Sequence, residues 1–155
     1  MAATKLVVGS ISKGKNAMHR MFVAFLVVCL AACNPANATA ELAASEKAIG
    51  AFHADANAGN FEDIYFGSGD EMQNSADIAD FEEFLGVVQK KLGKAGKSTQ
   101  EGWRINYVNG MSMTVLNMKT IYEKGEAMET FTFKSSPKGP VLVGYNIQSN
   151  ALIMN

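Results

Sequence analysis

The spacing of apolar side chains changes character at about residue 102. Before it the intervals are helical. Over about 40–58, Leu42, Ile49, Phe52 and Ala56 recur at steps of seven, three and four, which sets them on one helix face. Thr39 stands where a cap belongs, Glu41 falls in the first turn, and Gly59 supplies a stop. Asn60 then caps a short helix with Phe61, Ile64 and Tyr65 turned inward, ended by Gly67-Ser68-Gly69. A third helix is predicted over about 78–92. Asp77 is its cap, Phe81, Phe84, Leu85, Val88 and Leu92 form its apolar stripe, and Gly93 ends it. Glu82 and Glu83 lie near its positive end, and Lys90 and Lys91 near its negative end. The stretch GKAGKSTQEG that follows reads as a loop.

After residue 102 the period becomes two. Turn signals at Asn109-Gly110, at Lys124-Gly125 and across Ser135 to Gly139 divide the remainder into four strands. Two-residue turns at the first two sites pair Trp103 with Leu116, Leu116 with Phe133, Met118 with Phe131 and Thr120 with Glu129. A five-residue third loop pairs Phe133 with Val141, Phe131 with Val143 and Glu129 with Tyr145. One face then collects Trp103, Leu116, Met118, Tyr122, Phe131, Phe133, Val141, Val143, Tyr145 and Ile147; the other collects Asn117, Lys119, Thr130, Thr132, Gly144, Asn146 and Gln148. A slip of one residue would exchange the faces, so their separation fixes which side is buried. A bulge in the long second strand would shift part of this register. The fold class expected is α+β, with two or three N-terminal helices on one face of a four-stranded antiparallel meander.

Composition adds bounds. The chain has 155 residues, 48% hydrophobic and 19% charged, with a net charge of −1. That length fits one domain, and the apolar share opposes intrinsic disorder. The charge balance leaves no bulk positive field for nucleic acid, so no nucleic-acid partner is expected. Two cysteines and two histidines give little with which to build a metal site. The sequence carries no Gly-rich phosphate loop, nucleophile elbow or HExxH, so neither cofactor nor metal is expected.

The charge is unevenly spread. Residues 1–32 carry Lys5, Lys13, Lys15 and Arg20 and no acid, whereas all 15 acids lie beyond them. Met21 to Ala32, MFVAFLVVCLAA, is an apolar run preceded by His19-Arg20 and ended by Asn34-Pro35. As a helix it is about 18 Å long, too short for a hydrocarbon core of about 30 Å and right for a signal-peptide h-region. Its end, Leu30-Ala31-Ala32-Cys33, resembles a bacterial lipobox. The resemblance implies a diacylglyceryl thioether on Cys33, cleavage before it by lipoprotein signal peptidase, and acylation of the new amine. Asn34, where Gram-negative inner-membrane lipoproteins commonly carry Asp, implies sorting to the outer membrane. Cleavage also removes Cys29 and leaves Cys33 alone, a leftover thiol that acylation would use.

Other readings of this segment stay open. Cys33 could simply end a signal or lie in a buried helix. Ordinary signal peptidase could cut after Ala36-Asn37-Ala38 or Ala38-Thr39-Ala40, which would free the domain in the periplasm or outside the cell. Met18 is an alternative start, giving a compact leader, and a mitochondrial presequence fits less well. The organisation expected is a signal peptide over 1–32, a lipidated tether over 33–40, and one α+β domain over 41–155. The membrane, met through acyl groups, is then the first partner; an envelope protein or a small apolar ligand is the second.

The order of helices followed by a curved meander resembles the cystatin-like folds, including the nuclear-transport-factor-2-like group. More narrowly, Leu92-Gly93, Glu129 and Val143-Gly144-Tyr145 are similar to positions in a family of small exported bacterial proteins of unknown function. The tryptophan often found before that family's last Gly-Tyr is absent, with Leu142 and Val143 near its place. Some enzymes of this fold use an acid and a tyrosine in a sheet-lined pocket, which the resemblance transfers to Glu129 and Tyr145.

Glu129 and Tyr145 are therefore the candidate acid/base pair of an isomerase or hydrolase. They are weighed against a structural role at the sheet rim, with Glu129 solvated or bonded to Thr120 or Tyr145. His53, beside the apolar stripe of the first helix, reads as a core-edge or surface residue. Lys90, Lys91, Lys94 and Lys97 balance a helix end, or else meet anionic headgroups. Trp103, Tyr107 and the phenylalanines read first as core and second as a pocket lining. The function expected is a membrane-anchored lipoprotein with a small periplasmic binding domain, the sheet-pocket enzyme being the alternative.

Overall fold

The apolar stripes close onto one face of an antiparallel sheet in the computed structural model, which describes residues 35–154. The leader, Cys33 and the expectations attached to them lie outside the described residues. From Ala36 onward the chain forms one compact unit. Its helices are α1 (Pro35–Ala58), α2 (Phe61–Gly67), α3 (Asp70–Gln73), α4 (Ile78–Leu92) and a terminal α5 (Asn150–Met154). Its strands are β1 (Ala95–Val108), β2 (Met111–Tyr122), β3 (Gly125–Lys134) and β4 (Val141–Gln148), in the sheet order β1-β2-β3-β4. This is the expected α+β meander with helices preceding the sheet.

Several boundaries differ from expectation for physical reasons. α1 starts at Pro35, so the segment read as a tether is helical from there on. Proline is favourable at a first helical position and the alanine-rich run behind it has high helix propensity. Asn60 precedes α2 without a side-chain capping bond; its carbonyl accepts from the Ile64 amide instead. Asp77 does cap α4, accepting from the Asp80 amide at 2.9 Å. Phe84, placed on the α4 stripe from sequence, is 41% exposed. The unforeseen turn α3 is docked at both ends: Met72 is buried, and the Gly69 amide donates to the Leu142 carbonyl of β4 at 2.8 Å. A β-carbon at Gly69 would stand 2.9 Å from Val143, so the close approach of this turn to β4 requires glycine.

β1 begins at Ala95, inside the stretch read as a loop. Both backbone groups of Ala95 are held by Asn57 of α1, at 2.8 Å each. Bulges between Ala95 and Ser98 and between Gln100 and Gly102 absorb the irregular sequence. Asn109-Gly110 forms the two-residue turn to β2, both residues having positive φ (51° and 77°), as a primed hairpin turn demands.

Trp103 faces Leu116 as expected, but the later pairings are displaced by two residues. Leu116 faces Phe131, not Phe133, and Glu129 faces Ile147, not Tyr145. The β2–β3 turn is Glu123-Lys124, because the Glu123 and Lys124 amides are claimed by the Lys94 and Leu92 carbonyls. The β3–β4 loop spans 135–140, and a bulge at Thr132/Phe133 completes the second displacement. Where the displacement is even each side chain keeps its face, but past the bulge it is one residue: Phe133 faces Leu142, not Val141, and Leu142 joins the core in its place.

The core lies between that face and the helices. Ile49 and Phe52 of α1, Ile64 and Tyr65 of α2, and Phe81 and Leu85 of α4 pack on Leu116, Met118, Phe131 and Phe133. Trp103, assigned to this face, is 50% exposed. Glu41 near the start of α1 accepts from Ser112 and Thr114 at 2.7 and 2.5 Å, while Asn57 near its end holds Ala95. α1 therefore runs along β1 in the opposite direction. Sixteen helical steps cover about 24 Å and twelve strand steps about 40 Å, so β1 must curve around the helix. No helix among the described residues is long and apolar enough to cross a membrane.

Candidate functional site

At the centre of the helix–sheet interface sits a carboxylate. Glu129 on β3 is fully buried. The Tyr122 and Tyr145 hydroxyls donate to its Oε1 at 2.8 and 2.6 Å, and His53 Nε2 contacts its Oε2 at 2.9 Å. Alternation brings Tyr122, Glu129 and Tyr145 to one face from three successive strands. His53 arrives from α1, one turn after Ile49, whose side chain is locked in the core. Phe52 and Phe131 brace the cluster: their rings are 5.2 Å apart, and each lies 5.8 Å from the imidazole.

The electrostatics follow from this packing. Burial pushes the Glu129 pKa up, but the hydrogen bond and electrostatic pull of His53, with bonds from Thr120 and Tyr145, outweigh it, and the pKa is lowered. The carboxylate is thus held as an acceptor. Burial, followed by the adjoining Glu129 charge, raises the pKa of both tyrosines, which stay neutral donors. His53 must carry a proton on Nε2 to make its bond, in either the neutral or the charged ring.

Sequence reasoning brought Glu129 and Tyr145 together as direct neighbours across two strands. They do meet, but diagonally, through the length of the tyrosine. His53, read as a core-edge or surface residue, is a full member of the cluster, and Tyr122 had no role beyond the apolar face. The face assignment held the signal for Tyr122. For His53 the spacing of four from Ile49 placed it near the core without naming a partner.

Glu129 itself is closed off from bulk space. A void of only about 20 Å³ touches Tyr122 and Tyr145, room for a single water. The open space lies on the other side of the imidazole. A cleft of about 560 Å³ between α1 and the bulged start of β1 is lined by Glu46, Ile49, His53, Asn57, Ser98, Gln100 and Met118, among others. Gln100 Oε1 is buried and without a hydrogen-bond partner among the described residues. A carbonyl in that state costs about 1–3 kcal/mol unless something donates to it. Ser98 is engaged with Thr120 at 2.8 Å.

A larger depression of about 770 Å³ lies beside α5, but Lys119 and Glu126 on its wall already pair with each other at 2.9 Å. Among the described residues no cluster of His, Cys, Asp and Glu is arranged to hold a metal ion. Lys91 and Lys124 reach backbone carbonyls of Leu152 and Lys90, so part of the basic run serves the closure of the α4 end. Compared with known protein families and with curated proteins, the chain matches none.

Proposed function

We propose that this protein is a lipid-anchored lipoprotein of the bacterial outer membrane, whose periplasmic domain binds a small molecule in the cleft between α1 and β1. The anchor reading rests on the basic leader, the short apolar run and Leu30-Ala31-Ala32-Cys33. The observation that carries the binding reading is the pairing of an oriented imidazole with a buried, unsatisfied carbonyl on one cleft. Glu129 takes the role of holding His53 rather than meeting the ligand. With Nε2 engaged by Glu129, the ring is held in place on the cleft wall. The cleft then offers the acceptors Gln100 Oε1 and the Glu46 carboxylate, beside the imidazole and the apolar Ile49 and Met118. It suits a compact molecule with hydroxyl or amino donors and an apolar side.

The alternative, a sheet-pocket enzyme, changes its actor. The Glu129–His53 pair is the geometry by which a carboxylate orients a general base, so proton transfer would fall to His53 and not to Glu129 or Tyr145.

One preparation tests both parts. Protein purified from membranes should begin at Cys33 by intact mass and carry acyl groups on it. An unmodified start at Asn37, Thr39 or Glu41 rejects the anchor. The same protein, given an envelope extract, should gain hydrogen-exchange protection in residues 46–57 and 95–100. Absence of protection with any extract rejects the binding cleft.

A further inference from the structure

We propose that the β1–β2 hairpin is the membrane-facing edge of the domain, with Trp103, Tyr107 and Met111 resting in the headgroup layer of an anionic bilayer. This rests on the anchor proposed for Cys33. These three side chains of one hairpin are 50%, 77% and 49% exposed, large apolar groups outside the core. Trp103 and Tyr107 fall on the helix-side face of β1 by alternation, while Met111, paired with Val108, opens β2 on the opposite face beside the turn. Tryptophan and tyrosine are the side chains that settle at a membrane interface, with an apolar body and a polar edge.

The chain that precedes the domain leads to this same end. Glu41 is fixed to Ser112 and Thr114, at the base of the hairpin. From Glu41 back to Pro35 is about 9 Å of helix, and from Ser112 out to Gly110 is about 7 Å of strand. Cys33 is two residues before Pro35, and two residues of chain reach no more than about 7 Å. An acylated Cys33 therefore holds the bilayer close to the hairpin tip.

The charge pattern fits. Between Glu101 and Glu123 the sequence contains Arg104 and Lys119 and no acid. The nearest carboxylate from the packed helix, Glu41, is held by two hydroxyls. Lys119 is already paired with Glu126, which leaves Arg104 as the hairpin's contact for anionic lipid, and several weak contacts beside an acyl anchor orient a domain that the anchor alone would leave free to swing. Lys90 and Lys91 at the end of α4, and Lys94 and Lys97 around the start of β1, lie toward the opposite end of the strand and do not share this surface.

Trp103 is the only tryptophan in the chain, so its fluorescence reports this surface without labelling. The membrane-purified protein is reconstituted into phosphatidylethanolamine–phosphatidylglycerol vesicles, with and without brominated acyl chains. Trp103 emission should shift to the blue and be quenched by the brominated lipid. The variant Tyr107→Ser/Met111→Ser should keep its acyl anchor and lose most of the shift and quenching. Acylated protein with unquenched Trp103 overturns the membrane-facing hairpin and leaves the anchor standing. Protein that lacks acylation by intact mass overturns the anchor, and this surface with it. A blue shift that appears without vesicles, on raising protein concentration or adding envelope proteins, overturns the lipid surface in favour of protein docking.

Discussion

The two ends of β1 end their polar and apolar accounts in opposite ways. At Ala95 the polar groups hold one another: Asn57 holds both backbone groups, Glu123 accepts from the Lys94 amide, and further in Glu129 is surrounded by donors, with Gln100 Oε1 left unpartnered on the cleft among the described residues. At Val108 the strand ends among large apolar side chains left open to solvent. The first end is a region whose side chains hold one another in place, so the cleft beside it has its shape before a ligand arrives. The second carries apolar area that contributes little to the fold. A sequence that keeps such side chains outside its core points to something external that covers them. Substitutions at the two ends should therefore differ in kind: loss of stability at one, loss of association at the other.

Glu129→Ala should have the largest effect. It leaves two tyrosine hydroxyls and an imidazole without their shared acceptor, and removal of one member of such a buried set costs roughly 3–5 kcal/mol. Urea unfolding measures this; a loss below about 1 kcal/mol would show that the cluster is dispensable to the fold. The sign of the acid dependence follows from the lowered pKa. A carboxyl depressed in the folded state gives its full stabilisation above the ordinary value of 4.5 and loses it as pH falls below that value. Wild-type stability should drop on acidification through this range, and Glu129→Gln should drop less steeply.

How much of this was legible depends on which interactions decide each feature. The buried face of β2 and β3 is written in a period-two pattern that a shift of two residues does not disturb, whereas in β4 the bulge turns Leu142 into the core. The choice of partners within it is not written there. The turn at Glu123-Lys124 is selected by carbonyls of Leu92 and Lys94, some 30 residues away, against the local pull of Lys124-Gly125. The start of β1 was hidden for the same reason, since its polar, glycine-containing sequence becomes a strand only where Asn57 receives it. Within the candidate site, Glu129 and Tyr145 were visible as polar groups at apolar positions. His53 was not, because its partner lies 76 residues on and belongs to another layer. The exposure of Trp103 was equally hidden: its register was correct, but whether a helix covers an edge strand is set by the path of α1.

Asn57→Ala tests the closed end at moderate cost. It removes two hydrogen bonds of 2.8 Å that hold the entry of β1, and each is worth about 1 kcal/mol. The expected loss of about 2 kcal/mol should come with faster amide exchange at residues 95–100, since these rely on α1 for their alignment. If exchange there is unchanged, β1 is held by β2 alone and the cleft wall does not depend on α1.

The smallest effect on stability belongs to the open end. Tyr107→Ser and Met111→Ser should each change unfolding free energy by no more than about 0.5 kcal/mol, because exposed side chains outside the core contribute little to folding. This near-silence is what gives the hairpin its value as a comparison. A variant that folds as well as wild type, yet alters the surroundings of Trp103 at a vesicle, separates the surface from the scaffold that carries it. Should either substitution destabilise the protein by more than about 1.5 kcal/mol, the side chain is packed in solution and its exposure is not the free apolar surface on which the contrast between the two ends of β1 depends.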